Sequence, residues 1–527
     1  MLKRLAMVST AFAVLAVSYA AALWWGLLGN SLQSPRPNDA RVPSSWSQDR
    51  ERALRAAAVE VGQPEPTQIL FGDLHVHTTY SGDAFLWSLP LMQGEGAHPP
   101  ADACDFARFC SGLDFWALTD HAESLSAERW QASAAAIRNC QALSGPAEAP
   151  DLLSFLGWEW TQVGLTPERH YGHRNVVLRH IEASKVPAGP VAATGPSLDV
   201  FQSADLALLR LLLPLLDFPN RQAYYDLDVY LRETAGIRLC APGEDPERGC
   251  LVTAATPREL FERLDAWELE ALAIPHGTAW GATTPPGASW DAQLEAGQHD
   301  PRRQPLLEIH SGHGNSEEFR PWRAVERGPA GEARCPEPRD DYLSACWRAG
   351  EIIEDRCLAE GETPEECEAR AALARQLHAA AGVNGIRVVP GQRQEDWLDA
   401  GQCRDCFLPA FDYRPGMSAQ YALALGAAGE GDGERFRFGL VGSSDNHSAR
   451  PGTGYKEFSR LAMSDQRGIA DARWLRWLPA GAEPAAAPVE VGPLESRGLE
   501  GAERMASFWL SGGLVAAHSR GRSRDAL

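Results

Sequence analysis

The 527-residue sequence predicts an α/β fold, a parallel sheet or α/β barrel interrupted by large insertions. Short apolar runs of strand composition recur at Gln68–Phe71, Leu113–Leu118, Leu152–Leu156, Val176–Leu178, Leu272–Ile274, Leu306–Ile309 and Phe438–Val441. Helical patterns fall between some of them, at Ala127–Ala142, Pro257–Ala271 and Glu365–Ala381. Strands alternating with helices pack as a sheet covered by helices. A composition of 44% hydrophobic and 23% charged residues is that of a globular chain and excludes wholesale disorder.

In chain order, Lys3 and Arg4 precede a charge-free stretch from Leu5 to Gly29, long enough to span a bilayer with some tilt. The basic flank would stay in the cytoplasm and the rest of the chain would be exported. Ser18-Tyr19-Ala20 offers a signal-peptide cleavage site instead. The apolar run continues past it to Leu28, which favours an uncleaved anchor. Either way the expected location is periplasmic or extracellular, tethered to the inner membrane where the anchor is kept.

Ser31–Ser47, rich in Pro, Ser and Asn, reads as a linker, so the expected organisation is 1–30 anchor or signal, 31–66 linker and 67–527 barrel. Insertions are expected at about 182–249 and 320–433. Within the first, Leu206–Leu216 is too short to cross a membrane and reads as a buried helix. Leu475–Gly492 reads as a loop, and the closing residues as a C-terminus that stops early. Eleven cysteines in an exported chain imply disulfides, with at least one left over. Cys403-Arg-Asp-Cys406 reads as a local disulfide.

Lys plus Arg is 49 against 70 Asp plus Glu, a net charge of −21. Such a chain repels a phosphate backbone, so nucleic acid is not an expected partner. A small anionic substrate needs local positive charge, which bound metal supplies. The oligomeric state is left open by the sequence.

Residues with metal-ligand chemistry stand at or just beyond the apolar runs. His75 and His77, two apart in an extended segment, share a face and can chelate one ion. Asp83 follows eight residues after His75. Asp120 and His121 follow the second run, and Glu159 follows the third. His173 precedes the fourth run, and His276 in Pro275-His276-Gly277 ends the fifth. Glu308, His310 and His313 cluster at the sixth, and Asp445 and His447 follow the last. Any one of these has an ordinary structural explanation. Together they place imidazoles and carboxylates at one end of a sheet, where α/β barrels build their sites. Carboxylates converging there would repel one another without cations between them.

The H-x-H start at His75–Asp83, Thr119-Asp120-His121, Gly157-Trp158-Glu159, Pro275-His276-Gly277 and Ser444-Asp445-Asn446-His447 resemble the PHP (polymerase and histidinol phosphatase) superfamily. More closely, through Phe71–Asp83, Tyr171–Leu178, Glu308–Glu317, Gly442–Tyr455 and Ser511–Leu527, the chain resembles its large exported DUF3604 branch, over roughly residues 67 to 527 outside the insertions. The resemblance implies a distorted (β/α)7 PHP-type barrel holding two or three divalent ions. It implies His75, His77 and Asp445 at a first ion, Glu159 bridging to a second held by His173 and His276, and Asp83, His121 and His447 at a third. Many phosphatases of the superfamily have His where this chain has Asp83. Zinc or manganese, and also iron, suit such mixed ligands.

The expected activity is hydrolysis of a phosphate ester by metal-bound hydroxide. Asp120 is expected to orient His121, and Arg174 and His313 to act in the reaction. His310, Arg450 and Lys456 are candidates for binding the substrate. Sulfate-ester hydrolysis by the same cluster is the alternative, although the C-x-P-x-R motif of the common sulfatases is absent. No G-x-S-x-G surrounds Ser443 or Ser444, so a serine nucleophile is not expected. A third reading is an exported binding protein with a degenerate barrel.

Overall fold

Each apolar run becomes a strand, and the helices between them set the direction of the next. The computed structural model describes residues 2–30, 36–63, 67–202, 207–241, 243–244, 246–295, 297–317, 319–392, 394–397, 400–403, 413–425, 435–469, 483–492 and 510–527. The strands that position the site are β1 (Gln68–Asp73), β2 (Phe115–Leu118), β3 (Leu153–Trp160), β4 (His173–Leu178), β5 (Ala271–His276), β6 (Leu306–Ser311), β7 (Gly439–Gly442) and β8 (Val515–Ser519). The helices used below are α1 (Leu2–Trp24), α2 (Ser44–Glu60), α3 (Gly82–Ser88), α4 (Ala127–Leu143), α5 (Ala207–Leu216), α6 (Arg221–Ala235), α7 (Pro257–Ala266), α8 (Ala345–Ala359) and α9 (Pro364–Ala380).

Six strands form one curled sheet in the order β8-β1-β2-β3-β4-β5. β1, β2 and β3 run parallel, with α4 carrying the crossover from β2 to β3. The Ser126 hydroxyl caps α4, and the helix buries Trp130, Ala134 and Ile137 at helical spacing. Trp130 meets Trp158 edge-on, with ring centres 5.6 Å apart. β4 is antiparallel to both β3 and β5. The start of β4 therefore lies at the same end of the sheet as the ends of β3 and β5. This is why His173 opens its strand while Glu159 and His276 close theirs.

Alternation splits the sheet into two faces. Trp116, Leu118, Leu156, Trp158, Val176 and Ala273 join the core under the helices, with Trp130, Ile137, Leu260 and Leu264. Phe115, Ala117, Leu153, Val177 and Ile274 line the concave face with Leu70, Val441 and Val515. Continuing the concave parity toward the site end reaches His121, Glu159, His173 and His276. β6 and β7 pair in parallel in a separate three-stranded sheet. The chain beyond β7 returns to β1 through a Val76–Asn446 bridge.

Two features of the expected fold class are corrected. The expected seven-stranded (β/α)7 barrel is replaced by an open six-stranded half-barrel. β8 occupies the outer edge of β1 and runs antiparallel to it, while β6 and β7 hydrogen-bond in their own sheet. The expected N-terminal membrane-spanning segment is also corrected. Among the described residues no helix is long and apolar enough to cross a membrane. α1 takes Lys3 and Arg4 into its first turn and buries Leu23 at its other end, where Arg232 of α6 donates to the Leu23 carbonyl.

Further readings change in detail. Part of the expected linker is α2, which buries Leu54 and Ala58. α5 buries Leu213 but leaves Leu212, Leu215 and Leu216 exposed, so it is a one-sided helix and not a buried one. Disulfides join Cys104–Cys140, Cys240–Cys250, Cys335–Cys346 and Cys357–Cys367, the last stapling α8 to α9. Cys110 is free and exposed. Cys406 lies outside the described residues, as do residues 31–35 and 64–66 of the linker and 475–482 of the expected loop.

Candidate metal centre

The β1 strand ends at Asp73, and the extended segment beyond it carries His75 and His77 into a buried volume with neither exposed. Their Nε2 atoms lie 3.1 Å apart. Glu159 Oε2 is 3.3 Å from His75 Nε2 and 3.2 Å from His77 Nε2. Asp445 Oδ1 is 3.2 Å from the first and 3.3 Å from the second. Asp445 has a left-handed backbone, φ 50°, which turns the chain after β7 so that its carboxylate faces these rings. Its backbone N–H donates to the His75 carbonyl, and His77 N–H donates to the Asn446 carbonyl, so the two loops are zipped together.

The other oxygen of Glu159 serves a second group. Oε1 lies 2.8 Å from His173 Nδ1 and 3.4 Å from His276 Nε2. A third group stands on α3, whose first turn presents Asp83. Asp83 Oδ2 is 3.1 Å from His121 Nε2 and 3.3 Å from His447 Nε2. Trp87, one helical turn along α3, covers His447 with ring centres 4.6 Å apart.

The Nδ1 atoms of four histidines each have a partner, and that of His121 also lies 3.4 Å from Glu159 Oε2. His75 Nδ1 donates to Glu308, 3.1 Å from Oε2. His77 Nδ1 donates to Ser81 Oγ at 2.9 Å, and Ser81 in turn donates to Asp120 Oδ1 at 2.8 Å. His121 Nδ1 bonds Thr161 Oγ1 at 2.7 Å, and His447 Nδ1 donates to the Asp445 carbonyl at 2.9 Å. For His75, His77 and His447, whose Nδ1 atoms donate, the remaining lone pair is on Nε2 and points inward. Metal-ligating histidines are held in this way. Glu159 Oε1 and Asp445 Oδ1 are buried yet make no well-formed hydrogen bond. Uncommitted oxygens beside facing imidazole nitrogens suit a cation better than a neutral interior.

The electrostatics follow from this crowding. Burial opposes ionisation of Glu159, but the nearby His121 and His276 and the close contacts of His173 and His276 with its Oε1 hold it well below the usual range. Burial likewise works against Asp83, and His121 and His447 outweigh it. Burial depresses His121 and His447, but the carboxylates around them win and raise them to about 10 and about 9. His77 and His276 go the other way, lowered by burial and by neighbouring imidazoles. The volume thus demands positive charge, which protons on some histidines supply in the absence of ions. His75, His77 and Glu159, then Glu159, His173 and His276, then His77, His121 and His447 are buried groupings that could hold a metal ion, as could His313, His447 and Asp465.

All nine expected ligands therefore meet in one region. Asp120 stands behind the cluster and accepts bonds from Thr78 and Ser81, so it orients His77 through Ser81 and does not touch the His121 ring. Arg174 is not brought to the cluster. It has the convex parity of β4, and its guanidinium donates to the Tyr171 and Gly172 carbonyls and to Gln293, stacked over Trp160. Burial pulls it down to about 9. His313 lies against the third group, its ring parallel to Trp87 and its Nε2 3.1 Å from Asp465 Oδ1. His310 keeps a buried, unpartnered Nδ1 and joins none of the metal-holding groupings. Arg450 pairs with Glu95 at the mouth of a pocket beside His447, and Lys456 is buried with Nζ 3.3 Å from the Gly454 carbonyl.

Sequence reading missed Asp465 and gave Glu308 no role. Asp465 carries no motif, and only folding brings it to His447, whose backbone N–H it accepts. Glu308 could have been found, because an acid inside an apolar run demands a partner.

No curated protein and no solved structure matches the chain. Residues 64–143, which hold β1, α3, β2 and α4 with His75, His77, Asp83 and His121, match the family described as "Protein of unknown function (DUF3604)", and this match supports placing the chain in that family.

Proposed function

We propose that the chain is a metal-dependent hydrolase of small anionic esters, phosphate esters first, at a cluster of two or three divalent ions. The observation that supports this most is the set of donating Nδ1 atoms on His75, His77 and His447, which leaves three Nε2 lone pairs facing Glu159, Asp445 and Asp83. Zinc or manganese suits these mixed donors, and iron is compatible. Such ions, when bound, supply Lewis acidity and make water a nucleophile near neutral pH.

The residues have distinct tasks in this reading. His75, His77 and Asp445 hold one ion, and His173 and His276 a second. Glu159 joins the two groups because its oxygens face different histidines. Asp83, His121 and His447 hold the third. Asp120 and Ser81 fix the His77 tautomer, and Glu308 does the same for His75. His313, steadied by Asp465 and Trp87, stands where it can hydrogen-bond a substrate oxygen. The motif resemblance to the PHP superfamily supports the same assignment. Four disulfides suit an oxidising compartment, so we place the enzyme outside the cytosol.

The test is metal counting on full-length protein purified without chelators, followed by a panel of matched phosphate and sulfate esters. The expected result is more than one ion per chain and phosphate-ester cleavage that chelation abolishes. Less than one ion per chain defeats the proposal. Cleavage confined to sulfate esters moves the activity to that class, and metal binding without hydrolysis makes this a binding protein.

A further inference from the structure

Beside His447 and Asp465 lies a pocket whose rim includes Trp87, Gln93, Glu95, His98, Arg450 and Arg467. Its two arginines differ. Arg450 is neutralised by Glu95. Arg467 has no carboxylate partner among the described residues. Its Nε donates to the Ser464 carbonyl at 3.0 Å, Nη1 to the Gln93 carbonyl at 3.2 Å and Nη2 to the Ala462 carbonyl at 3.5 Å. A guanidinium has five N–H donors, so two remain. The group is also held still. Gln93, left-handed at φ 64°, donates its side-chain amide back to the Arg467 and Gly468 carbonyls. Each residue thus fixes the other's backbone, and the charge stays at the pocket wall. In a chain of net charge −21, a rigid cation without a counter-ion among the described residues, beside the candidate cluster, favours an anion.

We infer that Arg467 is a specificity subsite for a second oxyanion, so that the substrate is an ester with two separate anionic groups: a scissile phosphate at the metal cluster and a carboxylate or like group on the leaving-group side, bound by Arg467. This rests on the hydrolase reading for the scissile group. The pairing follows from the geometry, since one pocket is lined both by His447, a candidate ligand of the cluster, and by Arg467. A planar guanidinium with two free donors matches a carboxylate in a way that an ammonium does not.

The experiment uses full-length protein supplied with zinc or manganese. Binding of 3-carboxybenzyl phosphonate and of its neutral isostere 3-carbamoylbenzyl phosphonate is measured by calorimetry, and turnover of the corresponding aryl phosphates is followed in parallel. Wild type should bind the carboxylate form tenfold or more tightly. Arg467→Gln should reduce the ratio to within twofold of one, Arg467→Lys should restore part of it, and Gln93→Ala, which loosens the loop but keeps the charge, should retain it. A wild-type ratio near one overturns the inference, as does loss of the ratio in Gln93→Ala together with Arg467→Gln. Because binding is read without turnover, a preserved ratio with no cleavage supports the subsite and defeats the hydrolase reading alone.

Discussion

His75 and His77 aim their Nε2 atoms at each other across 3.1 Å, and each is held from behind, His75 by Glu308 and His77 by Ser81. Two imidazole lone pairs cannot face one another at that distance without a proton or a cation between them. Both rings are fully buried, so water cannot relieve the contact. Glu159 and Asp445, each within 3.3 Å of both nitrogens, complete a site that asks for positive charge.

The first prediction concerns Glu159, whose two oxygens serve different histidine groups. Glu159→Gln removes a charge from both at once, whereas His173→Ala touches one. Glu159→Gln should therefore lose more bound metal than His173→Ala, when both are counted against wild type by plasma spectrometry after dialysis. Equal losses would mean that the two groups do not share this carboxylate.

The second concerns the residues behind the cluster. Glu308→Gln and Ser81→Ala change no proposed ligand, but each frees an Nδ1 and with it the choice of tautomer. Outer partners of this kind contribute about 10–100-fold in metal affinity. Competition with a chelating dye should show a loss in that range for both variants, at unchanged ion count under saturating metal. An affinity within twofold of wild type would remove Glu308 and Ser81 from the design.

How far the site could be read from sequence depended on strand direction. His75, His77, His121, Glu159 and His276 follow or end apolar runs that run the same way, so a common end was legible. His173 fits only because β4 is reversed. Arg174 shows the opposite lesson. Neighbours in a strand face opposite ways, so an inward His173 already forces Arg174 outward. Asp465 and Arg467 had no signal, since their position depends on a loop contact with Gln93 and His447. The open edge of the half-barrel was equally hidden. A segment such as Val515–Ser519, outside the apolar runs, does not reveal that it will run antiparallel along β1.

The third prediction concerns acid stability. His170 is buried with its Nε2 unpartnered, and its Nδ1 accepts from the Gly164 N–H. Burial first, then His173, Arg174 and Arg414 around it, lower its pKa from 6.5 to about 3. The unfolded chain therefore takes up a proton below pH 6.5 that the folded chain refuses until about pH 3. Stability contributed by this group is present above pH 6.5 and is lost through that window as pH falls, by up to about 1.4 kcal/mol per pH unit. His170→Gln should flatten this limb in urea titrations at pH 7, 6 and 5. An unchanged slope would show that His170 titrates normally in the fold.

The fourth prediction lies at the far end of the sheet. Asp114, buried at the start of β2, accepts the Phe71 N–H at 2.8 Å and pairs with Arg50 of α2 at 3.1 Å and with Arg522 near the C-terminus at 2.6 Å. One carboxylate thus ties an N-terminal helix, the first strand and the last residues of the chain to the sheet. Asp114→Asn keeps the shape but leaves two guanidinium groups facing a neutral amide. Breaking a buried pair from one side costs roughly 3–5 kcal/mol, and because Arg50 is about one-third exposed the lower end applies. The variant should unfold at lower denaturant, yet its metal content while folded should match wild type, because Asp114 contacts none of the candidate ligands. A parallel loss of metal would mean that the anchor at one end of the half-barrel sets the geometry of the cluster at the other.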